Sequence, residues 1–135
     1  AQESRVETQA ARCSAIFAIL SETHAEDAAR SKYFLHFVEV FTALSLKEKK
    51  ERTGNASAEE GNTRRNSLLS EFRANYPNQQ AAINDETILC GAWAEGYRAQ
   101  GDQYSYVPII PKLIPQSVRD EYQSYATTSW KKWIK

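Results

Sequence analysis

Apolar positions recur along this chain at helical spacing. Val6, Ala10, Cys13, Phe17 and Leu20 step by 4, 3, 4 and 3, which places them on one face of a helix over about 4–21. A second run, Ala29, Tyr33, Phe37, Val40 and Leu44, steps by 4, 4, 3 and 4, and Phe34 and Phe41 widen it. This second helix is the most aromatic and is expected to be the most buried. Thr23 and Glu26, three apart, read as a capping box at its start. Its end falls in the charge run "KEKKER", residues 47–52, read as a solvated extension stopped by Gly54.

Ser57 and Glu60 form another capping box ahead of a third helix with a narrow stripe of Leu68, Leu69, Phe72 and Tyr76. A narrow stripe predicts an outer position, and Pro77 ends the helix. A fourth helix is expected over 80–100, with Ile83, Thr87, Cys90, Ala94 and Tyr97 at 4, 3, 4, 3 and with Leu89 and Trp93 beside them. Gly91 and Gly96 weaken this helix, and a glycine on a helix face is often there for a close approach. A last helix starts near Pro115 and Ser117 and carries Val118, Tyr122, Tyr125 and Trp133, with Trp130 nearby.

Between the last two helices lies "YSYVPIIPKLIP", residues 104–115. Its prolines delete backbone donors and exclude both continuous helix and central strand. Its aliphatic residues are too many for a solvated tether. An ordered, extended strap is expected, lying on the aromatic faces of the second and fourth helices. Part of it, Tyr104, Tyr106, Val107, Ile109 and Lys112, is the candidate partner-binding edge, because a proline-stiffened loop loses little entropy on binding. The fold class predicted is all-α: a four- to five-helix up-and-down bundle with this proline-rich strap before the last helix, one domain over 1–135.

Composition changes this picture in three ways. The charges balance, 17 basic against 17 acidic, which argues against a nucleic-acid partner. No apolar run is long enough to span a membrane. "WKKWIK" at 130–135 has interfacial character, but it is short and its tryptophans are expected to pack on the bundle. The chain starts "AQES" and holds no Met, which reads as a mature sequence after signal-peptide removal.

The two cysteines, Cys13 and Cys90, have no metal-type or redox-motif spacing. Both fall mid-stripe, and an even count in a small exported chain predicts a disulfide. It would close a loop of about 78 residues, with a chain-entropy ceiling of ~4.5 kcal/mol. Location is therefore expected to be periplasmic or secreted. "NAS" at Asn55 is a glycosylation sequon only in a eukaryotic secretory host; the short, alanine-rich chain suggests a bacterial one.

Candidate chemistry is sparse. His24 and His36 lie twelve apart and supply no four-ligand set, so neither a metal nor a cofactor is expected. There is no nucleophile motif, and Glu59–Glu60 and Asp85–Glu86 are adjacent residues that point different ways on a helix. No catalytic residue is assigned. The reading is a small exported helical protein-interaction module, in class like an inhibitor, immunity protein or accessory subunit, with another protein as partner and a homodimer left open. One alternative is a carrier of a small apolar ligand among Phe34, Phe37, Phe41, Trp93 and Tyr97. The other is an enzyme with a non-obvious site.

Overall fold

The computed structural model describes residues 2–100 and 114–133. All regular structure among them is helical: α1 (Arg5–Thr23), α2 (Ala28–Thr53), α3 (Ala58–Asn75), a 3-10 turn (Tyr76–Asn78), α4 (Gln80–Gln100) and α5 (Gln116–Trp133). The all-α expectation holds, with five α-helices among the described residues. Residues 101–113, and with them nearly all of the expected strap, lie outside the described residues. The chain divides into two compact units, Ala1–Asn75 and Tyr76–Lys135. Both cysteines, Cys13 and Cys90, are disulfide-bonded.

In the first unit α1 packs along α2, and α3 lies across both. The burial order differs from the expected one. α1 has twelve buried residues in nineteen, whereas α2 has five in twenty-six. The reason is side-chain size. Ala11, Ser14 and Ala15 fill the flanks of the α1 stripe, so other groups close on this helix from several sides, while α2 buries only Phe34, Phe37 and Phe41 with Val38 and Ser45. Phe17 is the hub: its ring centroid lies 5.7 Å from each of Phe34, Phe37 and Phe41. Tilted rings at that separation gain quadrupole attraction beyond their burial.

The boundary between α1 and α2 also departs from the sequence pattern. Thr23 ends α1 instead of opening α2: its hydroxyl donates to the Ile19 carbonyl at 2.8 Å. Asp27 is the N-cap of α2 and accepts from the Arg30 amide at 3.0 Å. Both residues are cap formers, and with Ile19 and Leu20 buried α1 runs on to Thr23 before the chain breaks. The other predicted caps stand. Gly54 ends α2 at φ 90°, a conformation that costs a residue with a Cβ, and Ser57 accepts from the Glu60 amide at 3.2 Å at the head of α3.

In the second unit α4 packs on α5. Gly91 explains itself here: a Cβ on it would stand 2.3 Å from Cγ of Tyr122, so only glycine lets that ring lie on the helix backbone. Tyr76 stacks on Trp130 with centroids 4.9 Å apart and planes 9° from parallel. Trp130 Nε1 donates to Thr87 Oγ1 at 3.2 Å, and that hydroxyl donates onward to the Ile83 carbonyl at 2.9 Å. Trp130 and Trp133 are both buried, so these tryptophans serve packing. The buried face of α5 is Tyr122, Ala126, Ser129, Trp130 and Trp133; Val118 and Tyr125 are half-buried.

Candidate functional site

The residues singled out for partner binding, Tyr104, Tyr106, Val107, Ile109 and Lys112, all lie outside the described residues. Of the stretch that holds them, Ile114 is half-buried and Pro115 exposed. The phenylalanines considered for a ligand cavity, Phe34, Phe37 and Phe41, close on Phe17 at ring-contact distance. At the end of α1 His24 Nδ1 donates to the Leu20 carbonyl at 2.8 Å, and His36 is exposed. Among the described residues no cluster of three or more His, Cys, Asp or Glu side chains could hold a metal ion.

Two concave features do occur, both inside the first unit. They lie on opposite sides of the line where α2 meets α3. That line is set by Gly61, where a Cβ would stand only 2.9 Å from Thr42 Cγ2 and 3.2 Å from Leu46 Cδ1. The close approach makes Thr42 and Leu46 common to both features.

The outer feature is a groove of about 400 Å³ between α2 and α3. Val38, Ala43 and Leu46 supply its apolar surface, Glu39 stands on the α2 side and Arg65 on the α3 side. Arg65 is held in place: Nη1 donates to Thr42 Oγ1 at 2.9 Å and Nη2 to Asn62 Oδ1 at 2.7 Å. Leu35 belongs to the same groove and is 53% exposed, the one large hydrophobic residue so exposed among those described. Sequence periodicity missed it, because position 35 falls off the stripe through 33, 37, 40 and 44. The only signal was an aliphatic residue at a position the stripe assigns to solvent.

The inner feature is a cleft of about 440 Å³ between α1, α2 and α3. Four ion pairs cross it, one of them from Arg64 Nη1 to Glu7 Oε2 at 4.0 Å. Glu7 of α1 is 1% exposed, and Arg52 of α2 grips it through both oxygens, Nε to Oε1 at 2.9 Å and Nη2 to Oε2 at 2.8 Å. Arg64 of α3 pairs with Glu3, and Lys49 of α2 with Glu60 of α3. Burial alone would raise the Glu3 carboxyl, but hydrogen bonds from Arg64 and Thr8 outweigh it and hold the group below the usual carboxylate range. Hydrogen bonding to Glu7 in turn raises Arg52 further.

The charge run 47–52 is thus not simply solvated. Lys49 and Arg52 are three apart and share the α2 face that points into the cleft. Arg52 had no sequence signal beyond its charge. Glu7 did have one: Glu7, Ala11 and Ser14 repeat at 4 and 3, a second buried line beside the main α1 stripe.

No protein-family model, no curated protein and no solved structure matches this chain. Among the described residues no helix is long and apolar enough to cross a membrane.

Proposed function

We propose that this protein is an exported, helical protein-interaction module, periplasmic or secreted, and that it docks its partner in the groove between α2 and α3. The observation that carries the reading is Leu35, a large aliphatic side chain held half in water at the edge of an apolar concavity. An isolated exposed Leu means little. One continuous with a groove floored by Val38, Ala43 and Leu46 forms an apolar centre with a charged rim, the anatomy of a binding patch. The fitting occupant is an amphipathic helix of another protein: an aliphatic stripe to cover Leu35 and Leu46, a basic residue opposite Glu39 and an acidic one opposite Arg65.

The export part of the reading rests on the disulfide, which persists in oxidising compartments. An inhibitor, an immunity protein or an accessory subunit would each use such a module. The test is a photo-crosslinking amino acid placed at Leu35 and, as control, at exposed Gln123 of α5, in cells of the native host. One defined partner, crosslinked from position 35 only and presenting a helix with that charge pattern, supports the proposal. Leu35→Gln should weaken binding of that partner at least about ten-fold, as expected for a buried aliphatic anchor, and leave the helical circular dichroism unchanged. Equal crosslinking from both positions, or full binding by Leu35→Gln, would refute it.

A further inference from the structure

We propose that the inner cleft is a second binding site, which takes a donor-rich organic cation: a primary ammonium or a guanidinium group. The hydrogen-bonding capacity left in the cleft is acceptor capacity. Ser14 and Ser45 line it and are nearly buried, at 2% and 7% exposure. The Ser14 hydroxyl donates to the Ala11 carbonyl at 2.7 Å and the Ser45 hydroxyl to the Glu7 carbonyl at 2.9 Å. With each hydrogen so committed, what these oxygens still offer is lone pairs. Glu7 adds a buried carboxylate whose two oxygens each accept one bond from Arg52; Arg64 Nη1 stands 4.0 Å from Oε2, and the carboxylate's remaining lone pair is on Oε1.

Charge points the same way. The lining carries four carboxylates, Glu3, Glu7, Glu59 and Glu60, against three cations, Lys49, Arg52 and Arg64. Each cation is already in an ion pair. An entering anion would have to displace a carboxylate from one of them, whereas a cation adds to acceptors already in place. Space is provided by side-chain size: Ala11, Ser14, Ser45 and Gly61 line a region that in an ordinary three-helix contact aliphatic side chains would fill. The volume, about 440 Å³, suits a small ligand or one long side chain.

The shared chemistry has two sources, a free polyamine or the arginine or lysine side chain of a polypeptide. Titration calorimetry of the whole protein at low salt tests both, with spermidine for the first and N-acetyl-argininamide for the second; the amide of N-acetylglutamate is the anionic control. The expected result is saturable one-site binding of at least one cation and none of the anion. Tighter spermidine binding assigns the polyamine source, tighter argininamide binding the side-chain source. Ser45→Ala, which removes an acceptor without filling the cleft, should weaken the cation about ten-fold, and Ala11→Leu, which fills it, should abolish binding. Leu35→Gln, in the outer groove, should bind the cation like the parent protein, so that this site and the partner groove fail or survive separately. The proposal is overturned if neither cation saturates below ~10 mM, if the anion binds as well, or if Ser45→Ala and a folded Ala11→Leu both bind unchanged. Should Ala11→Leu not fold, Ser45→Ala alone decides.

Discussion

The two units bury polar groups in opposite ways. The first, with α1 to α3, has a core of plain phenylalanine rings around Phe17 and keeps its polar burial apart, at Glu7, Ser14 and Ser45 beneath a cleft and at Ser21 and Thr23 near the end of α1. The second, with α4 and α5, mixes the two: Tyr76, Tyr122 and Trp130 are core rings that carry polar tips, and Thr87 is spent on satisfying one of them. A core without polar atoms can be adjusted without orphaning a donor. Moving Tyr76 or Trp130 would break the hydrogen bond that its polar tip makes, to Asn84 or to Thr87. The groove and the cleft both belong to the first unit, and in the second the Tyr122 ring fits closely on Gly91.

The comparison can be broken most directly at the hub of the first unit. Phe17→Ala removes the ring that Phe34, Phe37 and Phe41 share and should cost about 3–5 kcal/mol, read as a shift in the urea midpoint with an unchanged slope. Next in size is Gly91→Ala. One methyl group placed against the Tyr122 ring should cost ~1–3 kcal/mol, with loss of the Tyr122 ring shifts in NMR spectra; a neutral or stabilising result would mean that the ring has space to move, against the close-fit reading.

Thr87→Val keeps the volume and removes the acceptor of the Trp130 indole N–H. A loss of about 1–3 kcal/mol is expected, with a change in tryptophan emission that Phe17→Ala does not produce. Were Thr87→Val silent, hydrogen bonding would not be what distinguishes the second core.

The smallest effects lie at opposite ends of the pH scale. Burial raises the Tyr76 phenol above its ordinary value, partly offset by its hydrogen bond to Asn84. A raised phenol favours the neutral form in the folded state, so its contribution is whole below the ordinary tyrosine pKa, about 10, and is lost as pH rises through the folded value. Glu3 in the first unit is held low, so its contribution is present above the ordinary glutamate range and is lost as pH falls through the folded value. Denaturant midpoints measured from acid to alkali should show Tyr76→Phe flattening only the alkaline limb and Glu3→Gln only the acid limb. The reverse assignment would contradict the burial and pairing of both groups.

Much of this architecture was legible in the chain. The 4-3-4-3 stripes through Cys13 and Cys90, the stop at Gly54, the cap at Ser57 and the end of α3 before Pro77 are local matters, and backbone geometry with side-chain spacing decides them. The pairing of two mid-stripe cysteines followed from the same spacing. Tertiary packing decided the rest. Thr23 and Asp27 are both good caps, and only the burial of Ile19 and Leu20 selects where α1 ends. The small residues along α1, mostly alanine, read only as good helix formers until other groups close on them, which is why α1 and not α2 is the buried helix. Lys49 and Arg52 sit in a run that looks solvated, and their ion pairs depend on Glu60 and Glu7, eleven and forty-five positions away. Leu35 differs from any surface leucine only because Val38, Leu46 and Arg65 surround it. Periodicity reports which face of a helix is apolar; which faces meet, and what space they leave between them, is set by the sizes of side chains far apart in the chain, and that information exists only once the helices have packed.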